Sequence, residues 1–102
     1  MLKVFSLIKR REDLSLDEFR SWALEEHAPK GRNLPGLRQY SMSVVEADDP
    51  DLPYHAVSEL YFDDEDSFHA AFASEAGKAA GADVAAHASS RVRLVTREER
   101  II

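Results

Sequence analysis

Three side chains in this sequence have the types and settings for acid–base chemistry: His27, Tyr40 and His55. An imidazole with an ordinary pKa of ~6.5 exchanges protons near neutral pH. A phenol can donate a hydrogen bond to a developing enolate or phenolate oxygen. We take these three as catalytic candidates, and Glu59, Tyr61, Asp83 and His87 as substrate-binding candidates. His55, Glu59 and Tyr61 fall at period two along HAVSELYF and would share one strand face. If that face lines a cavity they form an acid–base set. If it meets a second copy of the chain, Glu59 is a partner for an arginine such as Arg93. Asp83 and His87 are four apart on a helix, hence adjacent. Two such groups do not make a metal site, and a buried aspartate paired with a histidine or arginine is the simpler role. No phosphate loop, Ser-His-Asp order or metal motif occurs. The structural alternative for His27 is a core histidine satisfied by a backbone carbonyl. For Tyr40 it is a core aromatic with its hydroxyl at the rim.

The elements that must hold these groups are legible. In LSLDEFRSWALEEHAP, Ser15 and Glu18 make a capping box. Leu16, Phe19, Ala23 and His27 then share a stripe, with Trp22 and Glu26 beside it and Asp17, Ser21 and Glu25 opposite. His27 sits at the last turn of the apolar face; Pro29 is expected to stop the helix, and Lys30–Asn33 to add a further turn. Leu34-Pro35-Gly36-Leu37 is a turn feeding a strand over 37–46. Leu2–Ile8 reads as the first strand, and Lys9-Arg10-Arg11 as a solvated charge cluster. Asp48–Pro53 is a loop, and His55–Phe62 a third strand. Asp63–Asp66 opens a second helix with Phe68 and Phe72 on its apolar side. That helix bends near Ser74 and resumes through Glu75–His87. RVRLVTR, 91–97, is a fourth strand.

The order β-α-β-β-α-β predicts an α+β, ferredoxin-like sandwich: a four-stranded antiparallel sheet with its helices on one face. The uncovered face, to which we assign Val57, Tyr61, Tyr40 and Val44, is too apolar for water and predicts a homodimer with facing sheets. At 102 residues, 44% hydrophobic and 31% charged, the chain is one soluble domain. A net charge of -6 argues against a nucleic-acid surface. The absence of cysteine removes disulfides, thiolate metal sites and cysteine nucleophiles. The apolar run in MLKVFSLIKRR is too short for a signal peptide or membrane span, so the cytoplasm is the expected compartment.

The segment KRREDLSLDEFRSWALEEHAPKGRNLPGLRQY resembles the opening motif of the EthD family of dimeric α+β barrel proteins. HAVSELYFDDEDSFHAAFASEAGKAAGADVAAH is similar to that family's third strand and second helix. The resemblance spans nearly the whole chain. It implies a ferredoxin-like protomer, a face-to-face dimer and a cavity between sheet and helices. Relatives are associated with alkyl-ether degradation, muconolactone isomerisation, polyketide cyclisation or dehydration, and cofactor-free oxygenation. In isomerase-like relatives the histidine of H-A-P and the tyrosine closing P-G-L-x-x-Y belong to the active site; here these are His27 and Tyr40. At His55 relatives often carry an acid or a small polar residue, and at Lys30 an apolar one. The reading is a cofactor-independent enzyme acting on an apolar oxygenated compound. The alternatives are a non-catalytic accessory protein of a degradative oxygenase system and a haem-dependent monooxygenase of the same fold.

Overall fold

Alternation along the strands sorts the sheet into two faces, and the strand register shows which residues share each one. The computed structural model describes Met1–Ile102. Strand β1 (Leu2–Arg10) buries Leu2, Val4 and Ile8 on one side. It pairs antiparallel with β3 (Ala56–Phe62), Val4 opposite Leu60, Ser6 opposite Ser58 and Ile8 opposite Ala56. Strand β2 (Gln39–Val44) adds outside β3, Tyr40 opposite Leu60. Strand β4 (Ala88–Arg97) adds outside β1, with Arg93 opposite Ser6 and Arg91 opposite Ile8. The order β2-β3-β1-β4, antiparallel throughout, is the ferredoxin-like sheet.

One face is covered by helices: α1 (Leu16–Ser21), a π-helical segment (Trp22–His27), α2 (Ala28–Gly31), α3 (Glu65–Ala73) and α4 (Glu75–His87). The expected capping box forms. Ser15 Oγ accepts from the Glu18 amide at 3.1 Å, and Glu18 Oε1 from the Ser15 amide at 3.0 Å. Asp64 and Ser74 cap α3 and α4 by accepting from the amides of Ser67 and Gly77, without the reciprocal bond, and the break falls at Ser74. Pro29, by contrast, does not end the first helix. A π turn precedes it, the Ala28 amide donating to the carbonyl of Ala23 five residues back, and Pro29 then sits in the first turn of α2.

The core splits in two. Leu2, Val4, Leu34, Leu60, Phe62, Phe68 and Ala71 form one cluster. Ile8, Phe19, Trp22, Ala23, Ala56 and Val84 form the other. Phe19 and Phe62 are fully buried, each worth about 2–3 kcal/mol in removed apolar surface. Between the clusters the cross-strand pair Ser6–Ser58 interrupts the apolar rows of β1 and β3. Two small side chains there leave space that larger apolar residues would fill.

Three placements differ from expectation. Tyr40 and Val44 lie on the helix-covered side, packed against the two core clusters, because β2 is in register with the buried residues of β3. Arg10 is not solvated. It is buried, donating to the Leu14 carbonyl and to Asp48 at 3.1 Å, because the last residue of β1 faces the helices. The strand leading to Glu59 begins at Ala56, so His55 precedes it in the loop. The uncovered face carries Phe5, Leu7, Val57, Val92 and Leu94 at its centre. No helix is long and apolar enough to cross a membrane.

Candidate active site

Helix α4 and the π-helical segment bring together residues far apart in sequence. Asp83, almost fully buried, receives the His27 Nδ1–H at 2.9 Å and the Trp22 Nε1–H at 3.2 Å. The ammonium of Lys30 lies 3.3 Å from its other oxygen. A carboxylate can only accept, so the short contact fixes the proton of the neutral imidazole on Nδ1. Burial pushes the His27 pKa below 6.5, and the hydrogen bond and charge of Asp83 act against that shift without cancelling it. For Asp83, burial opposes ionisation, but the donors His27, Trp22 and Lys30 outweigh it and hold the carboxyl below its ordinary 3.8. Trp22 is stacked between two imidazoles, His27 at 5.0 Å and His87 at 4.6 Å between ring centroids. His87 Nδ1 donates to the Asp83 backbone carbonyl at 2.8 Å.

His27 Nε2 has no protein partner and is accessible to solvent. It belongs to the wall of a pocket between sheet and helices. Leu34, Leu60, Phe72 and Val84 give the pocket an apolar lining, with Ser6 and Ser58 on its floor. Tyr40 enters from β2 and packs against the backbone of α2. A Cβ on Gly31 would stand 2.9 Å from the Tyr40 hydroxyl, so glycine at this position makes room for the ring. Burial raises the Tyr40 pKa above 10, with Ser58 acting in the opposite direction, and the phenol keeps its proton at neutral pH. The Ser58 hydroxyl donates to the Met42 sulfur at 3.2 Å. Arg91 and Arg93 reach the pocket from β4.

The residues singled out from the sequence thus divide. His27 and Tyr40 line one pocket, Asp83 backs His27 from outside it, and His87 lies against Trp22. His55 does not join them. Both of its nitrogens are engaged, Nδ1 accepting from the Arg10 amide at 3.3 Å and Nε2 donating to the Asp49 carbonyl at 2.9 Å. It pins the 45–55 loop to the end of β1. Glu59 and Tyr61 lie on the other side of the sheet, where Lys3 bonds Glu59 and Glu98 at 2.7 Å and the Tyr61 hydroxyl bonds Glu98 at 2.9 Å. Arg93 is on the opposite face from Glu59, whose partner within the chain is Lys3. Sequence reasoning missed Ser6, Ser58, Arg91 and Arg93 as pocket residues. Serine at a core-facing position in two neighbouring apolar strands was the available signal.

A neutral imidazole backed by a carboxylate, facing an apolar pocket that also holds a protonated phenol, can take a proton and stabilise the resulting oxyanion. No group of three or more histidine, aspartate or glutamate side chains is arranged to hold a metal ion.

Comparison with solved structures finds the same architecture repeatedly. An EthD-family protein from Bacillus halodurans is 27% identical, with 97% of this chain and 99% of that one covered at a TM-score of 0.83. A dimeric ferredoxin-like protein of unknown function from Thermobifida fusca is 18% identical, with coverage of 93% and 88% and a TM-score of 0.75. SnoaB, a cofactor-independent oxygenase from Streptomyces nogalater, is 14% identical, with coverage of 99% and 95% and a TM-score of 0.72. A comparison with functionally curated proteins finds no match. The EthD domain model matches residues 11–90, the span that carries His27, Tyr40 and Asp83, and the chain belongs to the EthD family.

Proposed function

We propose that this protein is a cofactor-independent enzyme that moves a proton on an apolar, oxygenated organic compound. The reaction is of the isomerase, dehydratase/cyclase or oxygenase type. The carrying observation is the Asp83–His27 pair, with Nδ1 held at 2.9 Å and Nε2 free at the pocket wall. Nε2 removes a proton from carbon next to a carbonyl. The electron pair moves onto the carbonyl oxygen, where the Tyr40 hydroxyl donates to the oxyanion. Asp83 stabilises the imidazolium, which returns the proton to the same or a conjugated carbon. The fold shared with SnoaB, an oxygenase that uses no cofactor, supports this reading without fixing the reaction. The protein acts as a homodimer through the apolar sheet face, as its dimeric structural neighbours suggest.

Proton exchange tests this without the product having to be identified. A panel of enolisable cyclic ketones and lactones is incubated in D₂O, and deuterium uptake next to the carbonyl is followed by NMR. Uptake above the buffer rate with the wild type, lost in His27→Gln, supports the reading. Binding without exchange for every panel member would replace it with a non-catalytic ligand-binding role.

A further inference from the structure

Most cations of this chain have found an anion. Arg10, Arg20, Lys30 and Arg38 each have a carboxylate within 4.0 Å. Arg91 and Arg93 are among the six that have none, with Lys9, Arg32, Arg97 and Arg100, although acidic residues outnumber basic ones by 19 to 13. The two stand two residues apart on the helix-facing side of β4, a spacing of roughly 7 Å along a strand. Both line the pocket that holds His27. The Arg93 guanidinium rests over the Phe72 ring at 4.1 Å, with Phe68 at 5.9 Å, which fixes its planar head at the pocket wall. Burial and the neighbouring charge of Arg91 both lower the Arg93 pKa, as expected where positive charge lacks a counter-ion.

We infer that Arg91 and Arg93 form an anion clamp at the His27 pocket, and that the substrate is an apolar compound bearing a carboxylate. This inference rests on the proton-transfer reading above and names its substrate class. A guanidinium fork matches the two oxygens of a carboxylate, and two such forks in one wall fit that group better than a neutral carbonyl. Leu34, Leu60 and Phe72 supply apolar contact for the rest of the substrate. With the carboxylate held on β4, the reacting carbon is directed toward the Ser6–Ser58 floor between His27 and Tyr40. The clamp orients that carbon, because an anion anchored at one end leaves the substrate few placements.

Calorimetric titration with benzoate and its neutral counterpart benzamide tests the clamp. Wild-type protein is expected to bind benzoate at least about tenfold more tightly than benzamide, the margin of a charge-assisted contact, and to lose part of that margin as salt rises. The Arg91→Gln/Arg93→Gln variant, shown folded by its melting curve, is expected to bind both probes equally. His27→Gln is expected to keep the preference for benzoate while losing deuterium exchange. Equal binding of the two probes by the wild type overturns the clamp, as does failure of benzoate to bind at millimolar concentration. A preference that survives in the double arginine variant overturns it as well. None of these results touches the role of His27, which the exchange experiment decides separately.

Discussion

His27 was legible as a chemical residue because it is a titratable group on the apolar stripe of a capped helix. That Asp83 is a buried carboxylate paired with a histidine or arginine was legible too, but not that its partner is His27. Asp83 lies 56 positions away, and only the packing of α4 against the π-helical segment joins them. Local pattern reports which face a residue occupies, but not which distant group meets it there. Ser6, Ser58, Arg91 and Arg93 were missed for a related reason: their shared surface exists only once four strands are in register. The dyad makes two predictions. His27→Gln should lower turnover by about 100-fold or more, the usual range for a lost acid–base group, while melting shifts by only a few degrees. Second, kcat/KM should rise with pH and level off with a midpoint below 6.5, since burial favours the neutral, basic form of His27. It should decline again only above 10, where Tyr40 loses its proton. The sign for stability follows from the same shift. The unfolded chain takes up a proton on His27 at higher pH than the fold does, so stability contributed by the neutral ring is lost as pH falls below about 6.5.

At the scale of elements, the capping box, the break at Ser74 and the Pro-Gly turn were readable because each depends on residues a few positions apart. The π turn over Trp22–His27 was not readable. Its one-residue excess is decided by what the helix packs against, and such insertions often accompany functional sites. Pro29 predicted a stop followed by a separate turn over Lys30–Asn33, where the helix instead runs on unbroken to Gly31. Two glycines have separable tasks. Gly31→Ala should push the Tyr40 ring from its seat, lowering turnover more than stability, which paired kinetic and thermal-melting measurements would show. Gly77→Ala should do the reverse. A Cβ there would collide with the backbone of Ala71 and Phe72 where α3 meets α4, and a cost of about 1–3 kcal/mol in denaturant unfolding is expected.

For the whole molecule, the order of elements gave the ferredoxin-like topology, since βαββαβ leaves few ways to cover one face of an antiparallel sheet. The membership of the open face was read less well. Tyr40 and Val44 belong inside, and Phe5, Leu7, Val92 and Leu94 take their place outside. Leu94 is nearly half exposed at the centre of that surface. In the proposed homodimer Leu94 meets the partner sheet, and Leu94→Glu should convert that dimer to a monomer in light scattering. The position of the single tryptophan has a practical consequence. Trp22 is the chain's only indole and is sandwiched by the imidazoles of His27 and His87. Imidazolium quenches indole emission more strongly than imidazole does, so the protein carries its own optical indicator. A fluorescence titration of the resting protein would report the charge of that stack before any reactant is identified.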